Sequence, residues 1–419
     1  MSVDSDTRKT VAVIGAGICG VSTAIWLQRY GHNVILMDKG KPGMATSYGN
    51  AGLLAHGAVN PVTSPELLKA LPGYLANPNS PLFLKWRHLP KLAPWLIKLL
   101  SNATDSKTRS IVKQMDALID DSVAQHKALV RDTPLEKWIV DSKLSFAYKD
   151  EADFQKDAYD WEMKASVGLK PNMVLGEDVK DVEPILGKAV RCLAVLEGHG
   201  HITNPGQYIT ELSQLFTENG GVFMQTEVRD VQQNEGHVSH IETEQGRVDC
   251  DYAVITAGIW SKELMNKLGL DIPMESERGY HVIFKDPSEL PRNPMIVTSG
   301  KFGVTPMDMG LRCAGTVELA DYSAEPSKSP LRVLYSHAKK AFPNLEYAGT
   351  EEWMGRRPTP ADCTPLIGEI GQSGIYTGFG HQHVGLTGGP KTGRLIAQLI
   401  SGESPNIDMS PYSPERFSR

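Results

Sequence analysis

The chain has 419 residues, 41% of them apolar and 22% charged, with a formal net charge of -6. That length calls for two or three domains with ample buried area, and a weakly acidic balance without a basic run excludes a general affinity for nucleic acid. Five scattered cysteines, never spaced as CxxC, rule out a disulfide framework, a zinc ribbon or a redox dithiol and point to a reducing compartment.

The stretch Met1 to Lys9 has mixed charge and neither the apolar run nor the cleavage site of a signal peptide. No apolar run approaches the roughly 18 to 20 residues needed to cross a bilayer. A cytoplasmic protein is expected.

An apolar strand, Thr10 to Ile14, then enters Gly15, Ala16, Gly17, Ile18, Cys19 and Gly20, and a helix is predicted from Ile18 to Tyr30, stopped by Gly31. This is a GxGxxG turn. The first glycine permits the tight turn, the second lets the backbone approach a pyrophosphate, and the third lets helix and strand pack closely. A second strand, Asn33 to Met37, ends in Asp38, 18 residues after Gly20 and followed by Lys39. A carboxylate there can bond both hydroxyls of an adenosine ribose.

Prolines and leucines crowd the stretch from Pro61 to Lys98, and a long helix is predicted from Asp105 to Arg131. Ahead of that helix, Leu82 to Leu100 mixes leucine, tryptophan and cations, so it can either lie on a membrane surface or form a core helix with snorkelling lysines. The nucleotide-type pattern returns with a helix from Tyr208 to Asn219, strands at Val222 to Val228 and Asp251 to Ile255, and a glycine turn at Thr256, Ala257 and Gly258. Mixed strands follow from Pro273 to Glu318, and a strand, a glycine-rich loop and an amphipathic helix run from Gly374 to Ile400.

These pieces predict an α/β fold: a discontinuous Rossmann-like domain (residues 1–60, 195–265 and 350–419) and an α+β substrate domain with a mixed or antiparallel sheet (residues 61–194 and 266–349). No internal repeat is visible. The HxH pairs His199/His201 and His381/His383 lack acidic or cysteine neighbours at ligand spacing, so no metal is expected. No nucleophile elbow appears, which argues against covalent hydrolysis.

Taken in order, Val13-Ile-Gly-Ala-Gly-Ile-Cys-Gly20, Ala45-Thr-Ser-Tyr-Gly-Asn-Ala-Gly52, Ala253-Val-Ile-Thr-Ala-Gly-Ile-Trp-Ser261, Gly315-Thr-Val-Glu-Leu319, Trp353-Met-Gly-Arg-Arg-Pro-Thr-Pro360, Pro365-Leu-Ile-Gly368 and Gly380-His-Gln-His-Val-Gly-Leu-Thr387 resemble the D-amino-acid oxidase superfamily of FAD enzymes, most closely its bacterial D-amino-acid dehydrogenase branch. The resemblance spans nearly the whole chain. It implies one FAD, held without a covalent bond because no cysteine falls where some relatives attach the flavin. It also implies that the Val228 backbone meets the adenine and that Thr256 to Gly258, with Trp260 beyond, lie near the pyrophosphate. Thr46, Ser47, Asn50, Ala51, Gly52 and Leu53 would approach the flavin, as would Gly355 and Gly380.

Oxidising an amino acid removes a hydride from Cα to flavin N5 and leaves an imine, which water hydrolyses to a 2-oxo acid and ammonia. The protein must fix the carboxylate, and arginine matches it bidentately. The family motif points to Arg357, whereas its neighbour Arg356 would face the other way if the segment is a strand. Gly385, Leu386 and Thr387 at a helix start can stabilise charge on the flavin pyrimidine. His381 in this loop can polarise or accept a proton, and Tyr280 can bond the carboxylate or close the pocket; Tyr48 and His56 are further candidates.

A small amino acid, D-configured first, is therefore the expected substrate, with an N-substituted or cyclic amino acid such as sarcosine, proline or hydroxyproline as the alternative. The expected electron acceptor is a quinone or another carrier, or O2, and the 82–100 segment would suit peripheral contact with a bacterial inner membrane. A non-catalytic flavoprotein and a nicotinamide dehydrogenase are the competing classes. Loss of the arginine clamp would mark the first, and colourless protein the second.

Overall fold

In the computed structural model, residues 8–77 and 80–418 are described, and among them the strands form three sheets. The first has six strands in the order Leu366–Glu369, Ile375–Phe379, Tyr252–Ile255, Thr10–Ile14, Asn33–Asp38 and Val222–Gln225. All pair in parallel except the two at the 366–379 edge. Thr10–Ile14 is central, and Val11, Ala12 and Val13 are wholly buried, as a strand covered on both faces requires.

The helices Ile18–Arg29, Pro205–Glu218 and Gly385–Ile400 pack beside this sheet with Asp105–Ile119 and Ser122–Leu129 in one apolar cluster that includes Val21, Leu118, Phe216 and Ile396. The predicted helix Asp105 to Arg131 is thus two helices. It breaks at Asp120 and Asp121, whose carboxylates converge on the buried Lys391 ammonium at 2.9 and 2.8 Å. The expected strand Val222 to Val228 also divides. Val222–Gln225 stays in the six-stranded sheet, and Val228–Asn234 opens a three-stranded antiparallel sheet with His237–Thr243 and Gly246–Asp249.

The third sheet has ten strands and is mixed, its path running Gly349–Pro360, Met274–Lys285, Gly310–Leu319, Phe302–Met307, Met295–Val297, Ile139–Tyr148, Cys192–Ile202 and Leu53–Leu54. It moves the expected boundaries. Residues 195–202 and 350–360, assigned by sequence to the nucleotide pieces, are strands of this large sheet, because each finds its hydrogen-bonding partner there and not beside Tyr252–Ile255. Gly349–Pro360 ends close to the 258–260 turn and the 382–384 turn, so the strand that carries Arg357 bridges the two sheets.

Candidate active site

The turn after Thr10–Ile14 is shaped by two glycines. Gly15 takes φ +106°, a conformation that side chains rarely adopt, and its N–H donates to the Met37 carbonyl at 2.7 Å. Gly20 packs so tightly that a Cβ there would overlap the Gly15 carbonyl oxygen. Gly17 caps the helix Ile18–Arg29, which has no acidic residue in its first turn, so its N-terminal N–H groups face a cavity of about 320 Å³ as an anion site. Beside it, the Asp38 carboxylate accepts from Ala16 N at 2.7 Å and Gly40 N at 2.8 Å, and the Ser47 hydroxyl accepts from Ile18 N at 3.2 Å. The Thr256 hydroxyl donates to the Ile14 carbonyl at 2.8 Å.

An open helix start, a glycine turn without side chains and a fixed carboxylate at the next strand end fit a dinucleotide such as FAD. Cys19, Lys39, Thr46 and Asn50 also line this cavity, as do Val228, Ala257, Gly258 and Trp260. The Lys39 ammonium sits 4.7 Å from the Trp260 ring centre, over its face as a cation–π pair does. Gly380, His381, Gly385 and Leu386 close the far wall.

Thr46, Asn50 and Gln382 also border a second cavity of about 710 Å³, so the two spaces adjoin. Its floor is the face of Met274–Lys285 and Gly349–Pro360 that carries Glu277, Gly279 and Arg357. Arg357 is half-buried, donates to the Thr316 carbonyl at 3.2 Å and has its guanidinium over Gly279. Burial lowers the Arg357 pKa while Glu277 supports its charge. Burial raises the Glu277 pKa, opposed first by the charge of Arg357. Arg356 points elsewhere, donating to the Tyr322 carbonyl at 2.6 Å, as alternation along a strand dictates.

The remaining expected residues fall in different places. Tyr280 sits in the apolar cluster with Val282, Phe284 and Leu334, and its hydroxyl donates to Glu318 at 2.5 Å and accepts from Ser327 N at 2.9 Å. Tyr280 borders the larger cavity, but alternation turns its side chain to the face opposite Gly279, where Glu318 and Ser327 engage the hydroxyl. His381 is buried, hydrogen-bonded to the Thr392 hydroxyl at 2.8 Å and 3.7 Å from Cys19 Sγ. Burial pushes its pKa down to about 4, and it borders the cofactor cavity alone. Ala16, Gly20 and Gly52 line neither cavity, while Ala51, Leu53, Gly355 and Thr387 line the larger one. Thr387 donates to the Leu53 carbonyl at 3.0 Å. Tyr48 donates to Glu351 at 2.9 Å and His56 pairs with Asp116 at 2.6 Å.

Sequence reasoning missed Glu277, Gly279 and His383, all of which line the larger cavity. An acid, Glu277, two residues before Gly279 in the strand-like run Met274 to Phe284 is the signal that could have found the first. His383 opens onto the cavity, and enclosure by protein, then the charge of Arg357, lower its pKa to about 4. In the 82–100 segment, Trp95 and Leu99 are buried and line this cavity, whereas Trp86 and Ile97 are 63% and 69% exposed. No helix among the described residues is long and apolar enough to cross a membrane.

The family model described as "DAO: FAD dependent oxidoreductase" matches residues 10–399. The chain is 36% identical over 415 residues to the D-amino-acid oxidase of Bradyrhizobium diazoefficiens, covering 97% of this chain and 98% of that protein. It is 27% identical over 417 residues to the D-amino acid dehydrogenase of Sinorhizobium medicae, covering 97% and 99%. Among solved structures, glycine oxidase from Geobacillus kaustophilus superposes with a TM-score of 0.75 at 20% identity, covering 98% of this chain and 99% of that one.

Proposed function

Because the chain belongs to the DAO family of FAD-dependent oxidoreductases, we propose that it oxidises the Cα–N bond of a small amino acid, a D-amino acid first, in the cavity floored by Arg357. FAD bound at the Gly15–Gly20 turn supplies the hydride acceptor, and the resulting imine hydrolyses to a 2-oxo acid and ammonia. Asp38 would hold the ribose, the N-terminus of Ile18–Arg29 the pyrophosphate, and Ser47, Asn50 and Gly380 the inner end. No covalent flavin bond is proposed. Cys19 is the one cysteine bordering either cavity among the described residues, and burial pushes its thiol up to about 12.

Arg357 carries the reading. Its guanidinium anchors the carboxylate, and Trp95 and Leu99 keep the space apolar, which strengthens that charge–charge contact. The start of the helix Gly385–Ile400 places Gly385 and Leu386 against the cofactor cavity, with no acidic residue in the first turn to oppose its positive end. The D-configuration follows the names of the relatives most similar over the full length, which divide between oxidase and dehydrogenase. Either O2 or a quinone is thus the acceptor to test.

Anaerobic mixing with D-, L- and N-methyl amino acids tests the substrate class. Flavin bleaching by D-amino acids is expected; bleaching by sarcosine or proline alone would shift the assignment to secondary amines, and no bleaching by any of them would overturn it. Acid precipitation should release all the yellow flavin into the supernatant.

A further inference from the structure

The cavity wall that carries Arg357 carries a second charge. Glu277 stands directly opposite Arg357 in the antiparallel pairing of Met274–Lys285 with Gly349–Pro360, so their side chains leave the sheet on the same face. Both line the larger cavity. The Glu277 residue is 5% exposed. Arg357 affects it electrostatically, yet the two are not among the ion pairs within 4.0 Å formed by the described residues. Arg357 spends an N–H on the Thr316 carbonyl and keeps the rest of its fork.

A cation and an anion side by side on one wall, each with hydrogen-bonding capacity left over, complement a molecule whose own opposite charges are separated by one carbon. A free amino acid is such a molecule, and an acid without the amine is not. We propose that Glu277 is the second pole of the substrate clamp: it holds the ammonium of a zwitterionic amino acid whose carboxylate lies on Arg357, and so selects amino acids over acids that lack the amine. This rests on the reading of Arg357 as the carboxylate anchor. An acid without an amine would bring its negative charge beside an enclosed carboxylate with nothing to compensate it, whereas the zwitterion satisfies both poles. The buried Trp95, whose indole N–H donates to the Thr359 carbonyl at 2.9 Å, screens this corner from water.

The test is binding of α-aminoisobutyrate and isobutyrate, which differ only in the amine. The first has no Cα hydrogen to lose and the second no amine to oxidise, so titrating the holoprotein and following the flavin absorption reads binding without turnover. The native protein should bind α-aminoisobutyrate at least about tenfold more tightly than isobutyrate, the scale of a charged hydrogen bond. Glu277→Gln should bring the two within about twofold, weakening the first and tightening the second. Equal affinities in the native protein overturn the proposal. So does parallel weakening of both ligands in Glu277→Gln, the mark of a residue that merely supports Arg357. Should the amide variant not hold flavin, Glu277→Asp decides: a preference smaller than native supports the proposal, and parallel weakening overturns it. Failure of the assigned activity reads differently, as a flavin that no amino acid bleaches while the preference for α-aminoisobutyrate persists.

Discussion

The guanidinium of Arg357 lies over Gly279, the residue two places along the strand from Glu277; a Cβ on Gly279 would overlap its Nη2 and Cζ atoms and lie 2.8 Å from Nη1. The missing side chain makes the space that the clamp occupies. Gly279 keeps register with Gly355 in the pairing with Gly349–Pro360, the pairing with Gly310–Leu319 shifts register beside it, and its φ is not left-handed, so alanine fits its backbone. Gly279→Ala should therefore leave the thermal midpoint and flavin content nearly native while raising KM for the amino-acid substrate at least about tenfold, the loss expected when a charged hydrogen bond is misplaced. Unchanged KM would mean that the guanidinium need not sit there.

Adjacent arginines give a paired control. Arg357→Ala should stay yellow and lose saturable bleaching, since the carboxylate then has no fork to dock on. Arg356→Ala removes a bond to the Tyr322 carbonyl at the surface and should leave KM and kcat within about twofold, the range of exposed interactions. Comparable loss in both variants would show that the two guanidinia share one task.

Acid sensitivity should be marked. Burial holds His126, His199, His201 and His381 neutral, with pKa values pushed to about 4, while an unfolded histidine titrates near 6.5. Between those values the unfolded chain binds more protons than the fold, so stability is full above about pH 6.5 and falls as pH drops toward 4. Each such group contributes up to about 1.4 kcal/mol per pH unit in that window. His126 is fully buried, with Nδ1 3.0 Å from the Tyr208 hydroxyl and Nε2 2.9 Å from the Leu386 carbonyl. Scanning calorimetry from pH 7 to pH 5 should show a falling midpoint, with a shallower fall for His126→Gln; equal slopes would remove His126 from the account.

What could be read in the chain was local. The run from Thr10 to Gly20 and the carboxylate at Asp38 announce themselves because strand, turn and helix follow one another within 29 residues, and each residue type answers a nearby backbone need. The membership of Cys192–Ile202 and Gly349–Pro360 in the larger sheet was not legible, since strand pairing joins residues far apart. Tyr280 shows a second limit. Alternation says that Tyr280 and Gly279 face opposite ways, but only the helix Lys328–Ala341, packed over the Tyr280 side, shows which face is left for the ligand. At His381, the turn that follows, with Gln382 at φ +52°, sends one histidine toward Thr392 and leaves His383 at the larger cavity. Glycine-rich sequence predicts such a turn without predicting its direction.

Gly20 offers the strictest test of the cofactor site. The first turn of Ile18–Arg29 approaches the end of Thr10–Ile14 so closely that a Cβ on Gly20 would overlap the Gly15 carbonyl oxygen, lie 2.6 Å from the Thr256 hydroxyl and 3.0 Å from the Gly15 carbonyl carbon. A side chain tip could swing aside, but the obstacle here is backbone, itself fixed by the Gly15 N–H bond to Met37 and by the Thr256 hydroxyl. Gly20→Ala must push the helix away from the strand, which costs about 1 to 3 kcal/mol as overpacking and moves the helix N-terminus from the position where it meets a pyrophosphate. The variant should purify with at least about tenfold weaker flavin retention than native, read from the ratio of absorbance at about 450 nm to that at 280 nm after dialysis, the expected scale for displacing charge-assisted hydrogen bonds to an anion. A native ratio in folded Gly20→Ala protein would show that the pyrophosphate is held elsewhere.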